Sequence, residues 1–211
     1  MNATVIIISS AKSRQLYNMT QEAVLFAKAD VIVLEQNPEV DNYIGCQTVY
    51  IVEPFNYNAF ANIGVEMCDT EWIVISNNDV VFFDGWLEEL LKPQYPIVSP
   101  KCLNDERQSE ITVNTTGYET GVHLSGWCFM IHRDLWKKIG GFDEDFKFWC
   151  ADNSLMEQLI KVEVPPMIVP KAIVRHLYSK TLITVDDQHD LTHEQVRKYN
   201  KKYGRELFGM F

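Results

Sequence analysis

Three polar clusters break the apolar runs of this chain, and each carries residue types that can do chemistry. In the first, Ile73-Val74-Ile75-Ser76 runs straight into Asn77-Asn78-Asp79. Ligands of open α/β sheets bind beyond the carboxyl ends of strands. A carboxylate there can hold Mg²⁺ or Mn²⁺, which favour oxygen ligands and bridge phosphates. The same tripeptide also suits a strand-ending turn. In the second, Gly140-Gly141-Phe142-Asp143-Glu144-Asp145-Phe146 leads to Trp149-Cys150-Ala151-Asp152-Asn153. Asp152 stands just before a helical segment, where a carboxylate is either a general base beside a cleft or a helix cap. The third is His176 in Val174-Arg175-His176-Leu177. Its imidazole suits a metal such as Mn²⁺, or a structural role after a strand.

The elements that must position these clusters follow from periodicity. Residues 4–9, 30–34 and 72–76 are short β-branched runs that read as buried parallel strands, with 48–52 a fourth candidate. Helical segments at 14–28 and 59–67 alternate with them, which predicts a doubly wound α/β sheet. A short helix is expected at 84–91. Further on, 96–100 and 125–132 read as strands, 104–121 as a polar loop or irregular hairpin, and 134–139 and 153–161 as helices. Short strands are expected at 167–169 and 172–174. A final helix from Thr192, with Gln195 completing a capping box, is predicted to run to about Phe208.

The 211 residues suit one domain, and 46% hydrophobic content is enough for a core. This mix excludes a disordered chain or a disulfide scaffold. With 19 basic and 29 acidic residues the net charge is −10, a poor match for general binding to nucleic-acid backbones. The five cysteines form no C-x-x-C pair, so they read as free thiols in a reducing compartment rather than zinc ligands. No basic n-region or long apolar run appears. A cytoplasmic chain with no membrane span is therefore expected.

Taken in order, these segments resemble the inverting, family-2-type glycosyltransferases of the GT-A nucleotide-sugar fold. The resemblance rests on the asparagine-rich stretch 55–64, on 73–80 as a strand ending in a D-x-D-type motif, on 124–133 as a glycine-led strand, and above all on Ile139-Gly140-Gly141-Phe142-Asp143-Glu144-Asp145-Phe146. It covers roughly residues 3–180. It implies a single Rossmann-like domain over 1–211, with a mostly parallel central sheet flanked by helices and a C-terminal helix. Residues 1–100 would form the nucleotide-sugar half, 101–185 the acceptor and catalytic half, and 186–211 a helical tail.

The resemblance also implies roles. Asp79 matches the last acid of the metal motif and Asn77 stands where its first acid is common. His176 matches a late metal-binding histidine, the metal being Mn²⁺ or Mg²⁺. Asp152 matches the catalytic base, with Ala151 in place of the acid that usually precedes it. Donor contacts are expected from Ser9, Ser10, Lys12, Glu35, Asn58, Asn62, Asn78, Arg175 and Lys180, and acceptor contacts from Gly126, Trp127 and Trp149. The reaction implied is transfer of a hexose or pentose from a nucleoside-diphosphate sugar, UDP-linked by expectation, to a hydroxyl. Ala151 and Asn77 leave open a degenerate fold that only binds a nucleotide sugar or a partner. The acceptor would be a glycan or a modified nucleic-acid base. For the latter, a basic helical face of Arg197, Lys198, Lys201, Lys202 and Arg205 offers attraction to an anion, or is an ordinary solvated face.

Overall fold

A computed structural model describes residues 2–177 and 188–207, the side chains of 188–191 aside. Its centre is β1 (Ala3–Ser9), all seven residues of which are buried. β2 (Asp30–Glu35) and β4 (Trp72–Asn77) flank β1 in parallel, and β3 (Gln47–Tyr50) adds to β2 in the same sense. A strand buried on both faces needs an unbroken apolar run, and β1 has one. Val5 and Ile7 enter one core layer with Leu16 and Val24 of α1 (Arg14–Ala27) and Trp86 of α3 (Trp86–Leu91). Ile6 and Ile8 enter the other, with Phe60 and Val65 of α2 (Tyr57–Met67), Leu135 of α4 (Arg133–Ile139) and Leu155 of α5 (Ala151–Lys161). Gly64 lets α2 approach the sheet, since a Cβ there would lie 2.7 Å from Cγ2 of Ile6.

The far half of the sheet is mixed. β8 (Cys128–His132) runs antiparallel between β4 and β6 (Ile97–Cys102), and β6 pairs in parallel with β9 (Met167–His176). β5 (Val80–Phe82) and β7 (Thr115–Thr116) pair antiparallel with β9. The sheet order is β3-β2-β1-β4-β8-β6-β9-β5. Two expectations change. The strands expected at 167–169 and 172–174 are one strand, β9, whose register against β6 shifts between Pro100 and Lys101. The last helix, α6 (Gln188–Tyr203), begins a turn before Thr192. Gln195 is thus inside the helix, and its side chain accepts from the Lys147 N–H at 3.0 Å instead of closing a capping box.

Candidate active site

β4 ends at Asn77, and the chain turns through Asn78 and Asp79 into β5. β5 runs against β9 with Val80 opposite His176, and the Leu177 N–H donates to the Asp79 carbonyl at 3.0 Å. This register carries Asp79 to His176, with Oδ1 3.1 Å from Nε2 and the carboxylate almost wholly buried. The Asn77 amide nitrogen, Nδ2, lies 3.5 Å from the same ring nitrogen. Trp127 stacks on the imidazole at 5.5 Å, and its carbonyl accepts from the Asn77 N–H at 2.9 Å.

Neighbouring ligands of an octahedral cation at about 2.1 Å lie about 3.0 Å apart, so the Asp79–His176 spacing fits a shared divalent ion. No group of three or more His, Cys, Asp and Glu side chains that could hold a metal ion is found among the described residues. A metal here would take one carboxylate, one imidazole and the Asn77 amide oxygen, and would fill its remaining positions with phosphate oxygens or water.

Asp152 is placed by the start of α5. Cys150 precedes the helix in the left-handed region, with φ 62°, so the chain turns sharply into it. Oδ2 of Asp152 accepts from the Gly126 N–H at 3.3 Å and Oδ1 from the Asn153 N–H at 2.9 Å. Gly126 is in turn held by the Tyr57 hydroxyl, which donates to its carbonyl at 2.7 Å. A Cβ on Gly126 would sit 3.0 Å from the Asp152 Cβ, so any larger residue would press on the acid. Burial raises the Asp152 pKa from its ordinary value, and the backbone N–H donors and the Arg107 charge only partly offset it. A carboxylate tuned upward in a cleft suits proton abstraction near neutral pH.

Asp152, His176 and Asn77 line one cavity of about 430 Å³, within the range of small-molecule sites. Asn77 and His176 lie on its wall with Asp152, Gly126, Trp127 and Trp149. The structure thus brings together residues from four separate stretches of sequence. Arg107, Tyr57 and Phe148 also line it, as do Val196 of α6 and Leu207 beyond it. Arg107 was missed at the sequence level; its signal is Asp105-Glu106-Arg107 inside the stretch taken as a polar loop.

Most of the expected donor contacts are engaged elsewhere. The Asn62 amide donates to the Phe142 carbonyl and to Glu144 and accepts from the Phe142 N–H and the Trp136 indole, while Asn58 donates to the Asp143 carbonyl. Both therefore clamp the loop after Gly141. Asn78 donates to Ser9 and Thr20 in a buried network at the end of β1. Glu35 is fully buried, with its oxygens taken by the Ala11 and Asn37 N–H groups and the Tyr43 hydroxyl. Ser10 donates to Gln36, and Lys12 is exposed beyond β1. Strand alternation puts Arg175 on the face of β9 opposite His176, where its guanidinium lies over the Phe83 ring. Lys180 lies outside the described residues.

The basic helical face is also corrected. Lys202 pairs with Asp143 and Asp145, Lys198 with Asp145, and Arg205 with Glu157. These cations hold α6 to the body of the protein, so only Arg197 and Lys201 of the five face solvent without such a pair among the described residues. No described helix is long and apolar enough to cross a membrane.

No protein-family profile matches the chain. Among proteins of known role, it is 25% identical to the O-antigen biosynthesis protein RfbC of Myxococcus xanthus in a 133-residue alignment, covering 48% of this chain and 10% of that protein. Among solved structures, it matches the mannosyltransferase PcManGT of Pyrobaculum calidifontis, determined with GDP-Man and Mn²⁺. The TM-score is 0.66 at 15% identity, over 97% of this chain and 64% of that one. The fold is that of the GT-A glycosyltransferases. S. aureus TarS 1-349 shares it, with a TM-score of 0.60 at 12% identity over 97% of this chain and 72% of that one. The chain spans a tenth of its curated relative's length and just under two thirds of the mannosyltransferase's. In this GT-A frame, the Asn77–Asp79 turn and His176 meet where β4 and β9 end, and Asp152 lines the same cavity as Asn77 and His176.

Proposed function

We propose that this chain is an inverting glycosyltransferase that moves a sugar from a nucleoside-diphosphate donor to a hydroxyl acceptor. One observation carries the reading: an upward-shifted acid, Asp152, lines the same cavity of a GT-A fold as Asn77 and as His176, whose ring is paired with the buried Asp79 behind it. Asp79, His176 and Asn77 would hold Mn²⁺ or Mg²⁺. Such an ion, when bound, neutralises the negative charge that develops on a departing diphosphate. Asp152 takes the proton from the attacking acceptor hydroxyl at its carboxylate, held in place by the Gly126 and Asn153 N–H groups. Its raised pKa makes it a stronger base than a surface aspartate. A single displacement with one base inverts the anomeric carbon and requires no paired carboxylates of the glycosidase kind. Trp149 and Phe148 offer apolar ring faces to a sugar acceptor. UDP is the donor nucleotide expected from the resemblance, and GDP is the one bound in the mannosyltransferase structure.

The test is thermal unfolding with UDP, GDP and their sugars, with and without Mn²⁺, followed by transfer assays. A ligand that binds only the folded state raises its stability. A shift requiring both metal and one nucleotide supports the reading. Asp79→Ala should abolish the metal-dependent part of that shift. Asp152→Asn should lower transfer by about 10²–10⁴ while leaving donor binding intact. Donor binding without turnover by the native chain, unchanged in Asp152→Asn, favours the binding-module alternative.

A further inference from the structure

We propose that Arg107 is the residue through which this cavity reads a phosphate group on its substrate. The inference deepens the glycosyltransferase reading and rests on it for the identity of the ligand. Arg107 lies on a single 3-10 turn, Glu106–Gln108, capped by the Asp105 side chain, which accepts from the Arg107 N–H at 3.1 Å. The same carboxylate grips the guanidinium, with Nε at 3.0 Å and Nη2 at 2.7 Å. Such a fork fixes the plane of the group. The third nitrogen, Nη1, lies directly over Gly121, where a Cβ would fall 2.1 Å away and φ is +83°.

The loop that carries Arg107 is anchored on both sides of the cavity. The buried Gln108 accepts from the Cys102 N–H at 2.7 Å and donates to the Gly121 carbonyl at 3.2 Å. Asn104 donates to the His176 carbonyl at 2.9 Å. Arg107 is therefore held between the strand that ends at His176 and the segment that leads to Gly126. Its side chain is 59% exposed. An exposed arginine ordinarily keeps much of its rotamer freedom, and here that freedom is already lost. Among the described cavity-lining residues it is the one lysine or arginine, in a protein of net charge −10. Trp149 lines the same cavity, and its buried indole N–H has no hydrogen-bond partner among the described residues. A fixed guanidinium edge suits the several acceptor oxygens of a phosphate.

Two substrates would bring that phosphate: the donor, through its diphosphate, or a phosphorylated acceptor. Calorimetric titration separates them, using pyrophosphate, UDP and GDP with Mn²⁺ for the first and glucose 1-phosphate against glucose for the second. Each probe is titrated into the native chain, Arg107→Gln and Arg107→Lys, with the melting temperature of each free variant as a check on folding. Loss of one charge-assisted contact is expected to weaken the relevant probe about tenfold or more in Arg107→Gln. Arg107→Lys, which keeps the charge without the fork, should recover part of it. Loss confined to pyrophosphate and nucleotides assigns the donor, and loss confined to glucose 1-phosphate assigns the acceptor. Equal binding of every probe by Arg107→Gln and the native chain overturns the proposal, as does no binding of any probe by the native chain. The readout is binding rather than turnover. A chain that transfers sugar yet binds equally well as Arg107→Gln rejects only the role of Arg107. A chain that loses phosphate binding in Arg107→Gln yet never transfers rejects only the reaction.

Discussion

The asparagines of α2 and the aspartate of α5 work on neighbouring stretches of chain in opposite ways. Asn56, Asn58 and Asn62 each donate to the loop 142–144; Asn56 also caps α2 by accepting from the Ala59 N–H, and Asn62 also accepts from the Phe142 N–H and the Trp136 indole. Asp152 has only two backbone donors, is desolvated, and is left with a raised pKa facing a cavity. A satisfied polar cluster rigidifies what it touches, whereas a partly satisfied one stores reactivity. Sequence alone shows two acid- and amide-rich clusters; only the count of bonds at each tells structure from chemistry.

The comparison breaks most sharply at Asn62. Asn62→Ala leaves the Phe142 N–H and the Trp136 indole without their acceptor. It should lower stability by about 2–3 kcal/mol, read by urea unfolding. Asp152→Asn should do the reverse. Folding raises the pKa of this acid, so holding it charged costs stability above the raised value, and the cost disappears as pH falls and the group is protonated in both states. Asp152→Asn is therefore expected to melt higher than the native chain at pH 7, with the gap closing toward acid pH in a series of melting curves. A gap independent of pH would place the effect in packing rather than charge. The smallest effect belongs to the cations of α6. Lys202→Gln removes two partly exposed pairs, to Asp143 and Asp145, and should cost about 0.5–1 kcal/mol at low salt and less at high salt, measured by unfolding at two ionic strengths.

The parallel half of the fold was legible because its strands are continuous apolar runs. β1, β2 and β4 appear within about a residue of their expected limits. β5 was not, since three residues after a turn carry no period, and only pairing with β9 makes them a strand. Of the site, Asp79, Asn77, His176, Asp152, Gly126, Trp127 and Trp149 were named from motif and resemblance, and all but Asp79 line the cavity directly. Glu35, Asn58, Asn62 and Asn78 were expected at the donor, and their internal partners were not legible because a sequence does not show where a side chain's partners are. Arg107 escaped because its meaning depends on Gly121, fourteen residues on, and on Gln108 beneath it.

The wall of the cavity runs in sequence from Tyr57 to Leu207, and α6 supplies part of it through Val196. That helix reaches the body through the Val196–Tyr199–Phe146–Cys150 cluster and a set of ion pairs, and it adds no strand to the sheet. It can therefore detach while β1, β2 and β4 stay closed, so its amides should exchange hydrogen sooner than those of the central strands. The enclosure of the site then has a lifetime of its own, shorter than that of the fold.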